Sequence, residues 1–213
     1  MFNRPKLSAP KSCAVLALLA LVSGAAQAAC DTLAFFPPVT NTYAMTGSGA
    51  SSTITVATTV SGNAATSLTT LNGKTTKVVW TCTDKGLSAT LDGGMQMSTG
   101  FLPPLSAWRV GYRWSSHSQV AGGSGINASS SSQNRIAALE KVTTPAGTFS
   151  AYRVETDVTT HLELPAGTKL PPSMAKSLNT AMHSVAWYAV GVGAVKQQMQ
   201  GGKVTMLLVK TTK

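Results

Sequence analysis

Short stretches in which apolar and polar residues alternate recur along the chain, punctuated by Gly, Pro, Asn and Asp. A period of two at that spacing predicts β-strands joined by tight turns. Segment 52–60 (STITVATTV) alternates in this way. Asn72-Gly73 is a hairpin dipeptide, and 77–82 (KVVWTC) after it reads as a strand. Asp84-Lys85-Gly86 turns the chain, 87–91 (LSATL) continues extended, Asp92-Gly93-Gly94 turns again, and 95–101 (MQMSTGF) alternates. Leu102-Pro103-Pro104-Leu105 breaks the pattern. Trp108, Val110, Tyr112 and Trp114 then fall at even spacing, so a strand there would show all four on one face.

Residues 115–134 (SSHSQVAGGSGINASSSSQN) are Ser/Gly-rich and predict a flexible loop, with the flanking strands paired through a long hairpin connection. Segment 136–142 (IAALEKV), the turn around Pro145-Ala146-Gly147 and a long strand over 150–162 follow. That strand would carry Tyr152, Val154, Thr156 and Val158 on one face, with Arg153, Glu155 and Asp157 on the other. In 173–183 (SMAKSLNTAMH), Met174, Leu178, Ala181 and Met182 recur at helical spacing behind a capping Ser173, which predicts one short helix. Segments 184–190, 194–199 and 203–210 complete a meander. The fold class is therefore mainly β: a strongly curved antiparallel sheet, half-barrel-like, with one short helix.

The first 28 residues are a separate matter. Arg4, Lys6 and Lys11 precede the apolar run 13–22 (CAVLALLALV), and Ala26-Gln27-Ala28 follows. This is the layout of a secretory signal, and the run is shorter than the roughly 20 residues of a membrane-spanning helix. Residues 29–213 then form a single β-rich domain, periplasmic or secreted. The whole chain has 213 residues and a net charge of +10. Only 11% of its residues are charged, too few for a long coiled coil or an acidic disordered tail. The basic residues are scattered and not clustered with aromatics, so nucleic acid is not an expected partner.

Cysteine usage fits export. With Cys13 in the leader, Cys30 and Cys82 form a candidate disulfide. It would close a loop of about fifty residues, worth roughly 3–4 kcal/mol. The rival reading makes Ala28-Ala29-Cys30 the end of a lipoprotein box with Cys30 acylated, although Gln27 stands where an apolar residue is usual.

A repeated spacing hints at duplication. Trp80 precedes Gly86, and Trp187 precedes Gly193, by the same interval, and each Trp follows a Thr/Val strand. The implied halves are 29–114 and 135–213, joined by 115–134. Catalytic chemistry finds few candidates. His117, His161 and His183 are isolated, no metal-ligand spacing occurs, and no Ser lies in a G-x-S-x-G elbow. Glu155 and Asp157 could repel one another, or could form a solvated face paired with Lys or Arg; the second reading is preferred. Neither a metal nor a cofactor is expected.

Residues 142–154 (VTTPAGTFSAYRV) and 187–196 (WYAVGVGAVK) resemble a signature of uncharacterised bacterial exported proteins and lipoproteins, roughly V-P-A-G-T-F … W-Y-A-x-G-V-G-x-V-K. Thr144 replaces the usual Val. The resemblance implies a curved antiparallel sheet similar to the half-barrels of periplasmic lipoprotein carriers, and no assigned chemistry. Turn chemistry accounts for Pro145-Ala146-Gly147, and Gly191 and Gly193 predict a bulge or bend in a strand.

Three functions compete. The leading one is a non-catalytic exported protein that holds an apolar or amphipathic ligand, a lipid for example, in the concave sheet. Its candidate lining is Trp108, Val110, Tyr112, Trp114, Phe149, Tyr152, Met174, Leu178, Met182 and Trp187. The second is a structural or interaction protein of the cell envelope, with no ligand and no cavity above about 300 Å³. The third is a hydrolase using Glu155, Asp157 and His161.

Overall fold

A computed structural model describes residues 32–47, 49–83, 86–91, 96–121, 127–163 and 182–213. The short helix α1 (Thr32–Phe35) comes first. Twelve strands follow: β1 (Thr40–Gly47), β2 (Ala50–Ser61), β3 (Ala64–Leu71), β4 (Lys74–Thr83), β5 (Gly86–Leu91), β6 (Gln96–Leu102), β7 (Arg113–Ala121), β8 (Asn127–Thr144), β9 (Gly147–Glu163), β10 (Met182–Ala189), β11 (Gly193–Met199) and β12 (Val204–Thr212). Each strand pairs antiparallel with its neighbour in sequence, and β12 returns to pair with β1, so the meander closes into a barrel. The curved sheet expected from the sequence goes further than a half-barrel.

Local chemistry sets the registers. Leu71 pairs with Lys74 across Asn72 and Gly73, whose φ values of 50° and 75° give the hairpin turn that matches strand twist. Thr144 pairs with Gly147 around Pro145-Ala146, as the turn residues predict. Alternation then fixes which face is inside. Ile54, Val56 and Thr58 of β2, Ser67 and Thr69 of β3, and Val78 and Trp80 of β4 point inward, around one interior hollow. Thr53, Thr55, Thr66 and Thr70 alternate outward with them. An apolar interior behind a hydroxyl-rich outer face is the reverse of an outer-membrane barrel.

Four expectations need correction. Residues 115–121 and 127–134 are strand, not loop, and pair from Arg113↔Arg135 to Ala121↔Asn127. Their Ser and Asn side chains bond across strands, as in Ser115 Oγ to Gln133 Oε1 at 2.9 Å and Ser130 to Thr160 at 3.1 Å. Polar ladders of this kind leave no hydrophobic alternation to read. Next, the aromatic segment 108–112 is irregular, and strand geometry begins only at Arg113. A 3₁₀ turn at Leu105–Ala107 and the bond from Trp108 Nε1 to Pro103 O, 3.1 Å, fold the Trp108 ring back onto the core. Val110 is left exposed.

Third, Met182 and His183 open strand β10 and do not end a helix. The remainder of the expected helix at 173–183, with Met174 and Leu178, lies outside the described residues, as do the leader and Cys30. Fourth, Gly191 sits in the β10–β11 turn, not within a strand, and the bulge falls between Trp187 and Tyr188. Among the described residues no helix is long and apolar enough to cross a membrane.

Candidate functional site

In an up-and-down barrel the connections alternate between two ends. One end gathers α1, the β6–β7 connection, the β8–β9 tip and the β10–β11 turn. Its α1 segment is tied down by Gly191 N–H donating to Ala34 O at 2.7 Å. The α1 sequence is only TLAF, but Phe35 and the following Phe36 drop into the barrel as a plug. Phe35 lies 4.5 Å from the Trp108 ring and meets Tyr188 edge-on at 6.5 Å. Trp108 in turn meets Tyr152 and Tyr188 edge-on at 5.3 and 5.8 Å. Phe36 stacks on Trp80 at 4.3 Å, and Trp80 leans on Phe101 at 5.3 Å. Such pairs add about 0.5–1.5 kcal/mol each beyond area burial.

Beyond this plug, toward the end bearing the β1–β2, β3–β4 and β11–β12 turns, the interior is not filled. A cavity of about 310 Å³ lies between β1–β4 and β10–β12. Phe36, Trp80, Phe101 and Tyr188 wall it on the plug side; Ile54, Val56, Val78 and Met206 line the barrel wall. Asn41, Tyr43, Thr58, Ser67, Thr69 and Gln197 supply polar groups, and no lining residue among those described is Asp, Glu, Lys, Arg or His. Most of the polar groups are already bonded to protein. Asn41 Nδ2 donates to Val192 O at 3.2 Å, Asn41 Oδ1 accepts from Thr211 Oγ1 at 2.8 Å, and Trp80 Nε1 donates to Ser67 Oγ at 3.2 Å. Apolar walls, satisfied dipoles and no charge suit a neutral apolar group better than an ion.

The tyrosines here are poor acids. Tyr43 Oη donates to Ala194 O at 3.0 Å, and burial pushes its phenol up to about 12 against a smaller opposing effect of the Asn41 side chain. Burial also raises Tyr188. An unfolded tyrosine titrates near 10. With the folded value higher, Tyr43's contribution is intact below pH 10 and is lost as pH climbs through about 12. The expected result is a loss of about 2–3 kcal/mol of unfolding free energy across that window, read from urea midpoints. Tyr43→Phe should remove its share of the slope; an unchanged slope would contradict the assignment.

Of the sequence-nominated lining residues, Met174 and Leu178 lie outside the described residues, and none of the others lines this cavity. Trp108 and Tyr152 are brought together, with Tyr112 and Trp114 packed at the edge of the same cluster, but as plug. Phe149 and Trp187 belong to a second cluster around Val142, Ala151, Val195 and Leu208. There Trp187 Nε1 donates to Glu140 Oε1 at 2.6 Å, and Lys196 Nζ lies 4.5 Å over the ring. Val110 and Met182 are exposed. The nominated acids are a solvated, paired face. Glu155 is held by Arg135 at 2.6 Å and by Arg153 at 3.5 Å, and the Arg135 hydrogen bond keeps its carboxyl below the ordinary value. Asp157 bonds His183 at 2.8 Å. No group of three or more His, Cys, Asp or Glu is placed to hold a metal among the described residues.

Of the residues that do line the cavity, Trp80, Ile54, Val56 and Met206 sit in strands the sequence foretold, whereas Asn41 and Tyr43 of β1 and Ser67 and Thr69 of β3 sit in strands it did not. No signal marked them as facing a hollow.

The chain from β7 into β12 carries one side of this arrangement. Residues 115–206 match the DUF3108-like family model. Within the matched segment lie Tyr188, Gly193, Ala194, Gln197 and Met206 of the cavity lining; the remaining lining residues precede it. Two solved structures share the fold. A Bacteroides fragilis protein of YmcC-like fold, provisionally described as exported, is 15% identical, with a TM-score of 0.50, 84% of this chain covered and 100% of that one. A Parabacteroides distasonis protein, provisionally described as a lipoprotein, is 14% identical, with a TM-score of 0.52, 84% of this chain covered and 98% of that one. No curated protein matches the chain.

Proposed function

We propose that this is an exported, non-catalytic protein whose barrel interior holds one apolar chain of a neutral or amphipathic ligand. The uncharged cavity of about 310 Å³ supports this most directly. Its size is at the lower end of ligand pockets, and just above the limit that a fully packed envelope protein would show. The leader layout of residues 1–28 and the described export of a structural relative support the location. Acyl chains fit because burying them needs no counter-charge, only apolar contact worth about 0.8 kcal/mol per methylene.

Cys82 belongs to the same proposal. It is buried among the residues packed on α1, facing inward with Val78 and Trp80. Cys30 stands two residues before α1. A Cys30–Cys82 disulfide would tether the plug to β4. Lipidated Cys30 is the competing outcome.

Native mass spectrometry of the chain recovered from the periplasm and incubated with envelope lipid extract tests all of this. The expected spectrum shows a leaderless chain, two hydrogens lighter than its reduced form, with a bound lipid mass. Thr69→Trp or Val78→Phe, which fill the hollow, should lower lipid occupancy about tenfold, equivalent to about 1.4 kcal/mol, with the fold retained. No bound mass, or equal occupancy in both filled variants, would refute the ligand reading.

A further inference from the structure

Beyond the cavity, we propose that the plugged end of the barrel docks on an anionic lipid surface. Six large apolar side chains stand exposed among the described residues; Leu68 and Met182 lie elsewhere on the barrel, and the other four are Leu33 at 49%, Val110 at 57%, Leu139 at 51% and Val190 at 50%. They come from four separate segments, and the fold brings those segments to one end. Leu33 is on α1, which is bonded through Ala34 O to the turn that carries Val190. Val110 precedes Gly111, whose N–H donates to Ile136 O of β8 at 2.8 Å. Leu139 lies further along β8, paired with Tyr152, whose ring packs on Trp108. The four therefore ring the aromatic plug Phe35, Trp108, Tyr152 and Tyr188. Isolated exposed apolar residues are ordinary, but four around one rim form a patch.

Charge identifies the occupant. Arg109, Arg113 and Lys141 are exposed at this end. Lys210 lines a shallow outer groove of about 390 Å³ with Ala146, Phe149 and Val192. The carboxylate described at this end is Glu140, and it is engaged by the Trp187 indole. Glu155 and Asp157 lie further along β9, toward the middle of the barrel. Apolar tips inside a cationic ring complement a membrane interface, where the tips enter the headgroup region and the cations meet anionic lipid. A second copy of this chain would set cations against cations.

The test is flotation of the periplasmic chain with phosphatidylcholine vesicles, with and without phosphatidylglycerol. Binding should be at least about tenfold stronger on the anionic vesicles, and should weaken sharply between 0.1 M and 0.5 M salt as screening sets in. Val110→Asp/Val190→Asp should reduce it about tenfold without moving the thermal midpoint. Should that pair misfold, Arg109→Glu/Lys141→Glu is expected to abolish the preference for anionic vesicles. Lys74→Glu/Lys203→Glu at the opposite end should change nothing. Absent binding, equal binding to both vesicles, or a dimer dispersed by the Asp substitutions would each overturn the proposal. None of these outcomes bears on cavity occupancy, which native mass spectrometry reads separately.

Discussion

Replacing Trp108 with alanine should lower the unfolding free energy by about 3–5 kcal/mol, the range for deleting a large buried aromatic. Trp108 is the hub of the plug. It touches Phe35, Tyr152 and Tyr188, which come from α1, β9 and β10, and its indole N–H is bonded to Pro103 O. Truncation therefore leaves a void between elements far apart in sequence and orphans the Pro103 carbonyl, so the barrel wall cannot collapse into the space. Val110, two residues away and exposed, provides the comparison: Val110→Ala should cost no more than about 0.5 kcal/mol. Urea unfolding followed by circular dichroism measures both. Similar losses at the two positions would show that the ring cluster is not the core of the fold.

Gly193→Ala should cost about 3 kcal/mol or more through a different mechanism. Gly193 has φ of 93°, where a side chain is strained, and a Cβ there would lie 2.7 Å from Phe35 O. That oxygen is backbone of α1 and cannot swing aside, so the helix must lift and draw Phe35 off Trp108. Gly191 separates strain from collision. Its φ is 76°, yet a Cβ would meet nothing within 4 Å. Gly191→Ala should therefore cost only about 1–2 kcal/mol, from its left-handed backbone alone. Near-UV circular dichroism of the aromatic cluster should be lost in the Gly193 variant and kept in the Gly191 variant. Equal behaviour would remove the α1 contact from the account.

These two residues also show what sequence can carry. The strands were legible because alternation and turn chemistry are local: Asn72-Gly73 and Pro145-Ala146-Gly147 name their turns, and Tyr152 and Val154 their buried face. The curvature was expected from Gly191 and Gly193, but Gly191 proved a turn residue and the bulge falls between Trp187 and Tyr188. Closure was not legible, because Thr40 pairs with Thr212 across nearly the whole chain and no local feature announces that contact. The plug was hidden for a related reason. Four residues of TLAF carry no periodicity, and Phe35 matters only because Ala34 O finds Gly191 N–H on the far side of the chain. Aromatic density did locate the hydrophobic centre near Trp108. It did not reveal that the rings fill one end while Ile54, Val56 and Met206 leave the other part hollow, since emptiness depends on what fails to meet across the barrel.

The part of the chain matching the DUF3108-like family carries β7 to β11, whereas β1–β4 and α1 supply most of the cavity lining. Variation in what is held would then be written in the first half of the described chain, at positions such as Val56, Thr69 and Val78. The Trp187, Glu140 and Lys196 cluster would serve the hairpin packing instead.

Crystals grown with a long-chain bromoalkanol, a neutral apolar probe, test the central claim most directly. The account predicts a bromine anomalous peak within the barrel, between Trp80, Val78, Ile54 and Met206, with the plug rings unmoved. An empty or collapsed interior, with bromine found only on the outer surface, would contradict it.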